Sequence, residues 1–352
     1  MCLRTGGFGQ NIPVSGQYDP RRRLAIATSP NDHDPQIRCG GGMQRDRFES
    51  FAAEILAQLG ETPRHAGFLA QGSTSRVWEI WSDRRAYVLR VIEAPDRALS
   101  APVDRFLRKS LSDRGGRVAC PVLSSDQTGT LWQGNPWVLE PLLVGSHPAR
   151  GALPAQVSRA LGQTLAALHQ VPVHGFGRPA RIEGECIHGA TSDPVVGVLQ
   201  RFEHPLSAHW AQGLLHPAFA AAPELEAGTR ALLHEVTRQM AEQPPVLCHT
   251  DLHERQLICD GDRLVGLLDF GDATLLDPHW DLGSVLYFHG DRNFRQVFEA
   301  YQGSARLTQC QPDLAAAFSV AIALHHAARS RLPGKEHRLT RAVAHIRQVI
   351  AW

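Results

Sequence analysis

The sequence predicts an α+β protein with two lobes, a small β-rich lobe followed by a larger, mainly helical one. Between residues 68 and 142, short runs rich in aromatic and β-branched residues alternate with turn-forming segments, which is typical of strands. From Pro154 onward, apolar residues recur at helical spacing, which indicates amphipathic helices. The 352 residues, 43% of them apolar and 20% charged, are enough for a two-lobed globular chain.

The folded part is expected to begin near Met43. Residues 1–42 contain seven glycines and four prolines with little apolar periodicity, and we interpret them as a disordered extension. Either this extension is not part of the native protein, or it is a regulatory or docking tail. A helix from Gln44 to Leu59, with apolar residues on one face, then starts the first lobe.

Strands dominate the rest of the first lobe, and helices dominate the second. The predicted strand segments are 68–80, which contains a turn, then 85–91 and 137–142, and the predicted helices are 102–115, 154–169, 223–241, 281–289, 292–302, 313–329 and 335–351. Residues 172–220 are rich in Gly, Pro and His, so they are predicted to form loops and short helices. Loops of this kind would set specificity on a rigid scaffold.

A predicted β-hairpin in the second lobe brings acidic and amide side chains together. The turn Asp260–Asp262 separates two short apolar runs. Antiparallel strands joined by so short a turn place their far ends side by side. We therefore expect Asp251 and Gln256, which precede the first run, to lie near Asp269, which follows the second.

These three side chains suit phosphoryl transfer. Mg²⁺ prefers oxygen ligands and keeps several waters, so the Asp269 carboxylate and the Gln256 amide oxygen could hold it together with nucleotide phosphates. Asp251 could then accept the proton of a hydroxyl nucleophile and hold that hydroxyl in line with the γ-phosphate. Asp251 is the predicted base, and Asp269 and Gln256 are the predicted metal ligands.

The order of these residues resembles the aminoglycoside phosphotransferase (APH) family, which is related to the protein kinases. The family pattern is HxDxxxxN, then an Asp on the next strand, then a DPxxDL segment. Here it reads His249, Asp251, Gln256, Asp269 and Asp277–Leu282. The chain departs from the pattern at Gln256, where the family has Asn, and the extra methylene moves the amide oxygen outward by about one carbon–carbon bond.

The resemblance covers roughly residues 43–352 and implies a bilobal protein-kinase-like fold. It divides the chain into the disordered extension (1–42), an N-terminal nucleotide-binding lobe (43–141) and a C-terminal catalytic and acceptor-binding lobe (142–352).

Four further residues near the predicted base receive roles. His249 is counted with the catalytic residues and is expected to orient the catalytic loop by hydrogen bonding rather than by moving protons. Asp281 is expected to brace the loop backbone. Asp272 is either a turn residue or a third metal ligand. His253 is either a loop histidine or a cation that reaches the γ-phosphate.

In the N-terminal lobe the resemblance implies a phosphate-binding region. Gly72, Ser73 and Thr74 form a turn whose small and hydroxylated residues let backbone N–H groups and hydroxyls approach phosphate oxygens. Arg90 occupies the strand position of the phosphate-binding lysine of kinase folds, and arginine keeps the charge and adds a planar fork. Asp104, on the helix that follows, is the candidate acid to pair with Arg90.

The segment Trp137–Leu142 resembles the strand that leads into the link between the lobes. Backbone amides around Glu140 and Leu142 are expected to bind the edge of an adenine there. A purine site needs apolar walls and a few backbone partners, so a plain buried strand fits this segment equally well.

Charge and cysteine content exclude several classes of protein. A formal net charge of +1 without a long basic run leaves no electrostatic footprint for nucleic acid. The seven cysteines are scattered without a CxxC pair, which argues for reduced thiols and against a zinc site. No apolar run is long enough to span a membrane, so we expect a cytoplasmic protein without a membrane partner. No pattern indicates an oligomeric state.

We therefore expect an ATP-dependent, Mg²⁺-requiring enzyme that moves the γ-phosphoryl group to a small-molecule hydroxyl. The expected acceptor is an aminoglycoside-type antibiotic or a related compound, which would make this an antibiotic-resistance enzyme. One alternative is a metabolic kinase with a choline-, homoserine- or sugar-like acceptor. Another is a pseudokinase, motivated by Gln256, Arg90 and the lack of a helix glutamate. Charge leaves the acceptor open: residues 181–245 carry eight acids and four arginines, whereas residues 291–352 carry four acids and nine Lys or Arg.

Overall fold

The computed structural model describes residues 41–72, 74–94, 100–207, 214–304 and 310–351. The predicted extension, residues 1–42, therefore falls almost entirely outside the described residues. Ser73 of the predicted phosphate-binding turn also lies outside them.

A five-stranded antiparallel sheet forms the N-terminal lobe. The elements in chain order are α1 (Gly41–Ala57), β1 (Pro63–Gln71), β2 (Ser75–Ser82), β3 (Ala86–Ile92), α2 (Ala101–Asp113), β4 (Leu123–Ser124), α3 (Ser125–Thr128) and β5 (Trp137–Pro141). The strand order is β1-β2-β3-β5-β4. All neighbouring strands in this sheet run antiparallel.

Helix α1 covers one face of this sheet with aromatic side chains. Phe48 stacks on Trp78 and Phe51 on Trp132, each pair with ring centroids 4.9 Å apart. Leu89 of β3 is buried in the same cluster. Because side chains alternate along a strand, the next residue of β3, Arg90, points to the opposite face of the sheet.

The C-terminal lobe combines a helical core with a two-stranded and a five-stranded sheet. Its elements are α4 (Ala155–Leu168), β6 (Val173–His174), β7 (Phe176–Glu183), β8 (Cys186–Thr191), α5 (Pro194–Leu199), α6 (Pro217–Ala221), α7 (Glu226–Glu242), β9 (Val246–Cys248), β10 (Leu257–Asp260), β11 (Arg263–Leu267), β12 (Thr274–Leu276), α8 (His279–Ser304), α9 (Pro312–Ala328) and α10 (His337–Ile350). Helix α8 packs against both α4 and α9, and α10 packs on α9. The predicted α+β class with two lobes is confirmed.

The prediction of loops and short helices for residues 172–220 is wrong in its first part. Strands β6, β7 and β8 lie there and belong to a five-stranded sheet of order β6-β8-β7-β12-β9. Gly175 and Gly177 have φ values of 74° and 85°, and the pairing of β7 shifts register between Phe176 and Arg181. These irregularities interrupt the alternation that marks a strand in a sequence.

The final helices follow the prediction, including the break after residue 289. Helix α8 is interrupted at Gly290, whose φ of 76° and ψ of 171° are not helical. Glycine reaches this conformation without the steric cost that a side chain brings. Within the described residues, no helix combines the length and apolar character of a membrane span.

The close packing of α8 on α9 can be tested at Gly283. A Cβ atom there would lie 2.7 Å from the Ser319 nitrogen and 2.9 Å from the Ala315 oxygen of α9. We expect Gly283→Ala to lower the free energy of unfolding by about 2 kcal/mol, measured by urea denaturation. Gly303→Ala, on the same helix, is the control, because a Cβ at Gly303 meets no described atom within 4 Å. Equal stability of the two variants would contradict the packing.

Candidate active site

The predicted hairpin forms, and its open end collects the predicted site residues. Strands β10 and β11 pair antiparallel with Leu257 opposite Leu267. The Leu268 N–H donates to the Gln256 carbonyl at 2.8 Å. Gln256 therefore lies beside the residue that immediately precedes Asp269.

Asp251 lies in a polar cluster at this end of the hairpin. The same Asp251 oxygen, Oδ2, is 3.5 Å from His253 Nε2 and accepts a hydrogen bond from the Gln256 amide nitrogen at 3.3 Å. Burial disfavours the charged carboxylate, but the hydrogen bond and charge of His253 outweigh it. Together with the charges of Arg201 and His249, they hold the pKa of Asp251 well below its usual range. Asp251 is therefore ionised at neutral pH.

Asp269 lies where the two lobes meet and has a left-handed backbone conformation. Its φ is 56°, which aspartate tolerates better than most residues. Asp269 Oδ1 accepts the Gly271 N–H at 3.2 Å. The side chain is 56% exposed, and Arg90 Nη1 lies 3.9 Å from Oδ1. The predicted metal ligand and the predicted phosphate-binding cation thus meet.

A buried chain of alternating charges fixes Arg90. Arg90 Nη2 donates to Asp104 Oδ2 at 2.5 Å, and Arg108 Nη2 donates to the same oxygen at 2.6 Å. Arg108 also donates to Glu140 through Nη1. Burial disfavours the charged form of Asp104, but Arg108 and Arg90 outweigh it and hold the pKa of Asp104 below its usual value. The expected pairing of Arg90 with Asp104 is confirmed.

The structure bears on one of the two adenine contacts predicted at the end of β5, that of the Leu142 amide. The Glu140 side chain is paired with Arg108 and only 12% exposed, whereas the predicted contact at Glu140 is through the backbone and stays a prediction. The Leu142 N–H donates to the Ala86 carbonyl at 3.0 Å, so the sheet already uses this amide. The Leu142 carbonyl is left as the group that could face a base.

The predicted phosphate-binding turn is tied to the strand that carries Arg90. The Gly72 N–H donates to the Ser75 carbonyl at 2.8 Å, and the Thr74 carbonyl accepts the Glu93 N–H at 2.8 Å. Glu93 directly follows β3. The turn and Arg90 therefore lie at the same end of β3.

Asp281 holds the loop that carries the predicted base. Its carboxylate accepts the N–H of His249 at 2.8 Å and that of Thr250 at 2.7 Å. Oδ2 also accepts a hydrogen bond from His169 Nε2 at 3.1 Å, and the Tyr301 hydroxyl lies 2.8 Å from His169 Nδ1. The predicted brace is confirmed, and His169, which the sequence did not single out for this role, completes it.

His249 positions the loop through both ring nitrogens. Its Nε2 donates to the Leu268 carbonyl at 2.7 Å, and its Nδ1 accepts the Asp251 N–H at 3.3 Å. Both nitrogens are thus engaged with backbone groups. His249 has the expected orienting contacts and is a positioning residue.

Two arginines extend the site beyond the predicted residues. Arg201 Nε donates to Thr250 Oγ1 at 2.7 Å, and Arg201 Nη2 is 3.4 Å from Asp272 Oδ2. Arg178 Nη2 is 3.6 Å from the other Asp272 oxygen. Thr250 has a φ of 69°, which is strained for a β-branched residue, and its side-chain contacts help to hold it. The Asp272 carboxylate faces these arginines, which opposes a role as third metal ligand. No motif marks either arginine in the sequence.

Comparisons with known proteins agree with this geometry. The sequence model of the phosphotransferase enzyme family (APH) matches residues 65–316. A homoserine kinase from Rhodopseudomonas palustris (strain BisA53) is 27% identical over 237 residues, which cover 63% of this chain and 64% of the kinase. The chain thus spans less than two thirds of the length of this curated relative.

Solved structures share the fold at low sequence identity. A thermostable mutant of the aminoglycoside phosphotransferase APH(4)-Ia, in ternary complex with AMP-PNP and hygromycin B, has a TM-score of 0.56 at 17% identity. The match covers 86% of this chain and 97% of that one. A putative fructosamine-3-kinase from Thermobifida fusca YX-ER1 has a TM-score of 0.56 at 16% identity, covering 86% and 99% of the two chains. These similarities support the bilobal kinase-like fold.

Asp281→Asn tests the brace. The substitution keeps the size of the side chain but removes one acceptor oxygen, so the N–H of His249 or of Thr250 loses its partner in a buried place. We expect the free energy of unfolding to fall by about 3 kcal/mol in urea denaturation. We also expect faster hydrogen exchange at these two amides. Asp262→Asn, at an exposed turn, is the control and should change stability by less than about 0.5 kcal/mol. Slow exchange in Asp281→Asn would argue against the brace.

Proposed function

Because this chain belongs to the phosphotransferase enzyme family (APH), we propose that it transfers the γ-phosphoryl group of ATP to the hydroxyl group of a small molecule. The observation that carries this proposal is the meeting of Asp251, Gln256, Asp269 and Arg90 at one end of the β10–β11 hairpin. A base, two oxygen ligands and a phosphate-binding cation are the parts that phosphoryl transfer requires.

We assign the nucleotide to the part of the site that is formed by the N-terminal lobe. Arg90 would contact phosphate oxygens with its guanidinium. The Gly72–Thr74 turn would cover the phosphates, and the Leu142 carbonyl would face the base. A structural neighbour was solved in complex with AMP-PNP, an ATP analogue, which supports the binding of a nucleotide.

The side chains around Asp269 fit a magnesium ion. Asp269 presents an exposed carboxylate, and the Gln256 amide nitrogen is directed at Asp251, which turns the amide oxygen away from that carboxylate. Both groups offer the hard oxygen donors that Mg²⁺ prefers. When bound, the metal would neutralise negative charge on the phosphates.

Asp251 would position the acceptor hydroxyl and take its proton. The acceptor oxygen forms a bond to the γ-phosphorus, and the bond between this phosphorus and the β,γ-bridging oxygen breaks. ADP leaves with the electron pair, and the hydroxyl proton passes to Asp251. The low pKa of Asp251 makes it a weak base. In a loose transition state the proton moves late, so positioning by Asp251 contributes more than its basicity.

One argument for the pseudokinase alternative no longer holds. It rested partly on the lack of a glutamate on the helix that follows β3. Asp104 of α2 takes the place of that acid, because its carboxylate accepts from Arg90 at 2.5 Å. We therefore keep the proposal that the protein is a catalytically active phosphotransferase.

Asp251→Asn tests the proposed base. The variant keeps the size of the side chain but loses the carboxylate that orients the hydroxyl. We expect kcat for ATP-dependent phosphorylation to fall by roughly 100-fold or more, while ATP with Mg²⁺ still raises the melting temperature. Asp262→Asn should keep the wild-type kcat. Unchanged turnover in Asp251→Asn would refute the base assignment. A wild-type protein that neither consumes ATP nor gains stability from it would refute the whole proposal.

Asp269→Asn tests the metal site. Loss of the charge should raise the Mg²⁺ concentration for half-maximal nucleotide stabilisation by roughly tenfold or more. Gln256→Leu, which removes a neutral ligand, should raise this concentration by a smaller factor. Asp272→Asn is the matched control, since the Asp272 carboxylate faces Arg178 and Arg201. If Asp272→Asn raised the required Mg²⁺ concentration more than Asp269→Asn did, Asp272 rather than Asp269 would be the metal ligand.

A further inference from the structure

Thr250, the residue directly before the proposed base, has a backbone conformation that its own side chain opposes. Its φ is 69°, in the left-handed region that a β-branched residue rarely adopts. The other non-glycine residues with positive φ in the described part of the chain are Gln133, His204 and Asp269, and none of these is β-branched. Contacts from other segments must hold Thr250, because strained backbone persists only where the surrounding structure fixes it.

Asp281 holds the backbone up to the peptide bond that precedes Thr250. Its Oδ1 accepts the Thr250 N–H at 2.7 Å, and this N–H belongs to the peptide plane shared with His249. The Thr250 carbonyl belongs to the next plane, which it shares with the Asp251 N–H. The orientation of this second plane sets the direction in which the Asp251 side chain leaves the backbone, so the second plane needs a contact of its own.

Arg201 supplies this contact and also holds the Thr250 side chain. Arg201 Nη2 donates to the Thr250 carbonyl at 3.4 Å, and Arg201 Nε donates to Thr250 Oγ1 at 2.7 Å. The same hydroxyl donates to the Asp272 carbonyl at 2.8 Å. Thr250 is therefore held at its N–H by Asp281, and at its carbonyl and hydroxyl by Arg201.

Arg201 is itself fixed and almost fully enclosed. Its side chain is 7% exposed, and Nη2 lies 3.4 Å from Asp272 Oδ2. The guanidinium carbon lies 4.9 Å from the centre of the Phe202 ring. That ring stacks on Trp280 with centroids 4.5 Å apart. A guanidinium that already donates within the protein in this way is poorly placed for a direct contact with an acceptor.

The segment that carries Arg201 is connected to strand β7. The Gln200 side-chain oxygen accepts the Arg178 N–H at 2.9 Å, and the Gln200 carbonyl accepts from Arg178 Nε at 3.2 Å. Arg178 Nη2 also lies 3.6 Å from Asp272 Oδ1. Arg201 thus reaches the catalytic loop from a segment that is tied to the five-stranded sheet of the C-terminal lobe.

We propose that Arg201 is a positioning residue for phosphoryl transfer, which holds Thr250 in the left-handed conformation and thereby orients the Asp251 carboxylate toward the acceptor hydroxyl. The proposal rests on the proposed function, in which Asp251 orients that hydroxyl. Misplacement of a catalytic group by about 1 Å can cost roughly 100-fold in rate. The need for Arg201 arises from the threonine at position 250, since glycine would adopt the same φ without steric cost.

Arg201→Gln tests the positioning in turnover. The acceptor is L-homoserine or hygromycin B, whichever the wild-type protein phosphorylates faster, or water if it phosphorylates neither. We expect kcat to fall by roughly tenfold or more, while the KM for ATP changes by less than about twofold. The KM for ATP is spared because Arg201 contacts none of the described residues that are assigned to the nucleotide. Arg347→Gln, which removes an exposed arginine paired with Glu224, should leave both constants unchanged.

A double-mutant cycle with Thr250→Gly identifies the route by which Arg201 acts. Glycine keeps the N–H that Asp281 accepts and removes the steric strain, so Thr250→Gly alone should keep kcat within about threefold of wild type. In the Thr250→Gly background, we expect Arg201→Gln to lower kcat by less than about threefold. Arg201→Lys should lower kcat nearly as much as Arg201→Gln does, because lysine keeps the charge but has no Nε donor for Thr250 Oγ1.

Hydrogen exchange reports on the loop without any acceptor. The Asp251 N–H donates to His249 Nδ1, and we expect this amide to exchange faster by roughly tenfold or more in Arg201→Gln. Thr250→Gly should remove most of this increase. Thermal unfolding of each variant verifies that it is folded. Arg201→Lys, which keeps the buried charge, takes the place of Arg201→Gln in the cycle if the latter unfolds.

The outcomes separate this proposal from the proposed function. If Arg201→Gln keeps the wild-type kcat, or lowers it equally with threonine and with glycine at position 250, the positioning role is wrong. Full recovery by Arg201→Lys would show that only the charge matters, and a rise in the acceptor KM that Thr250→Gly leaves unchanged would show direct acceptor contact. Either result overturns the proposal while ATP-dependent transfer stands. If the wild-type protein neither consumes ATP nor gains thermal stability from ATP with Mg²⁺, both proposals fail.

Discussion

The buried carboxylate of Asp281 is the constraint on which the proposed active site depends. By accepting the N–H groups of His249 and Thr250, it holds a strained left-handed residue directly before Asp251. His249 then reaches from this loop to the Leu268 carbonyl. The proposed base and the strand that leads to the metal ligand therefore belong to one hydrogen-bonded unit. A site on such a unit is preorganised by the fold itself.

Arg90 joins this unit to the other lobe. It lies between Asp104 of α2 and Asp269 of the C-terminal lobe, so one guanidinium contacts acids of both lobes. Around it, acidic and basic groups alternate, which suits a metal ion with phosphates.

The parts of the site that could be predicted are those with local geometry. A hairpin with a short turn has few possible shapes, so its spacing placed Gln256 near Asp269. Asp104 could be proposed because its helix contains few acids. Arg201 could not, since it contacts Thr250 from 49 positions away and no motif marks it. Strand β7 was missed because its glycines and register shifts interrupt the alternation of apolar and polar residues that marks a strand in a sequence.

Four positions are expected to depend on one another in evolution, because their charges alternate along one chain of ion pairs: Arg90, Asp104, Arg108 and Glu140. Arg108 and Asp104 are almost fully buried, and each group neutralises the next. Loss of one member leaves a buried charge unpaired, at a cost of about 3–5 kcal/mol, whereas replacement of a neighbouring pair by apolar residues of similar volume is often neutral. Substitutions at these positions should therefore show strong epistasis. Related sequences are expected to exchange them in pairs rather than one at a time.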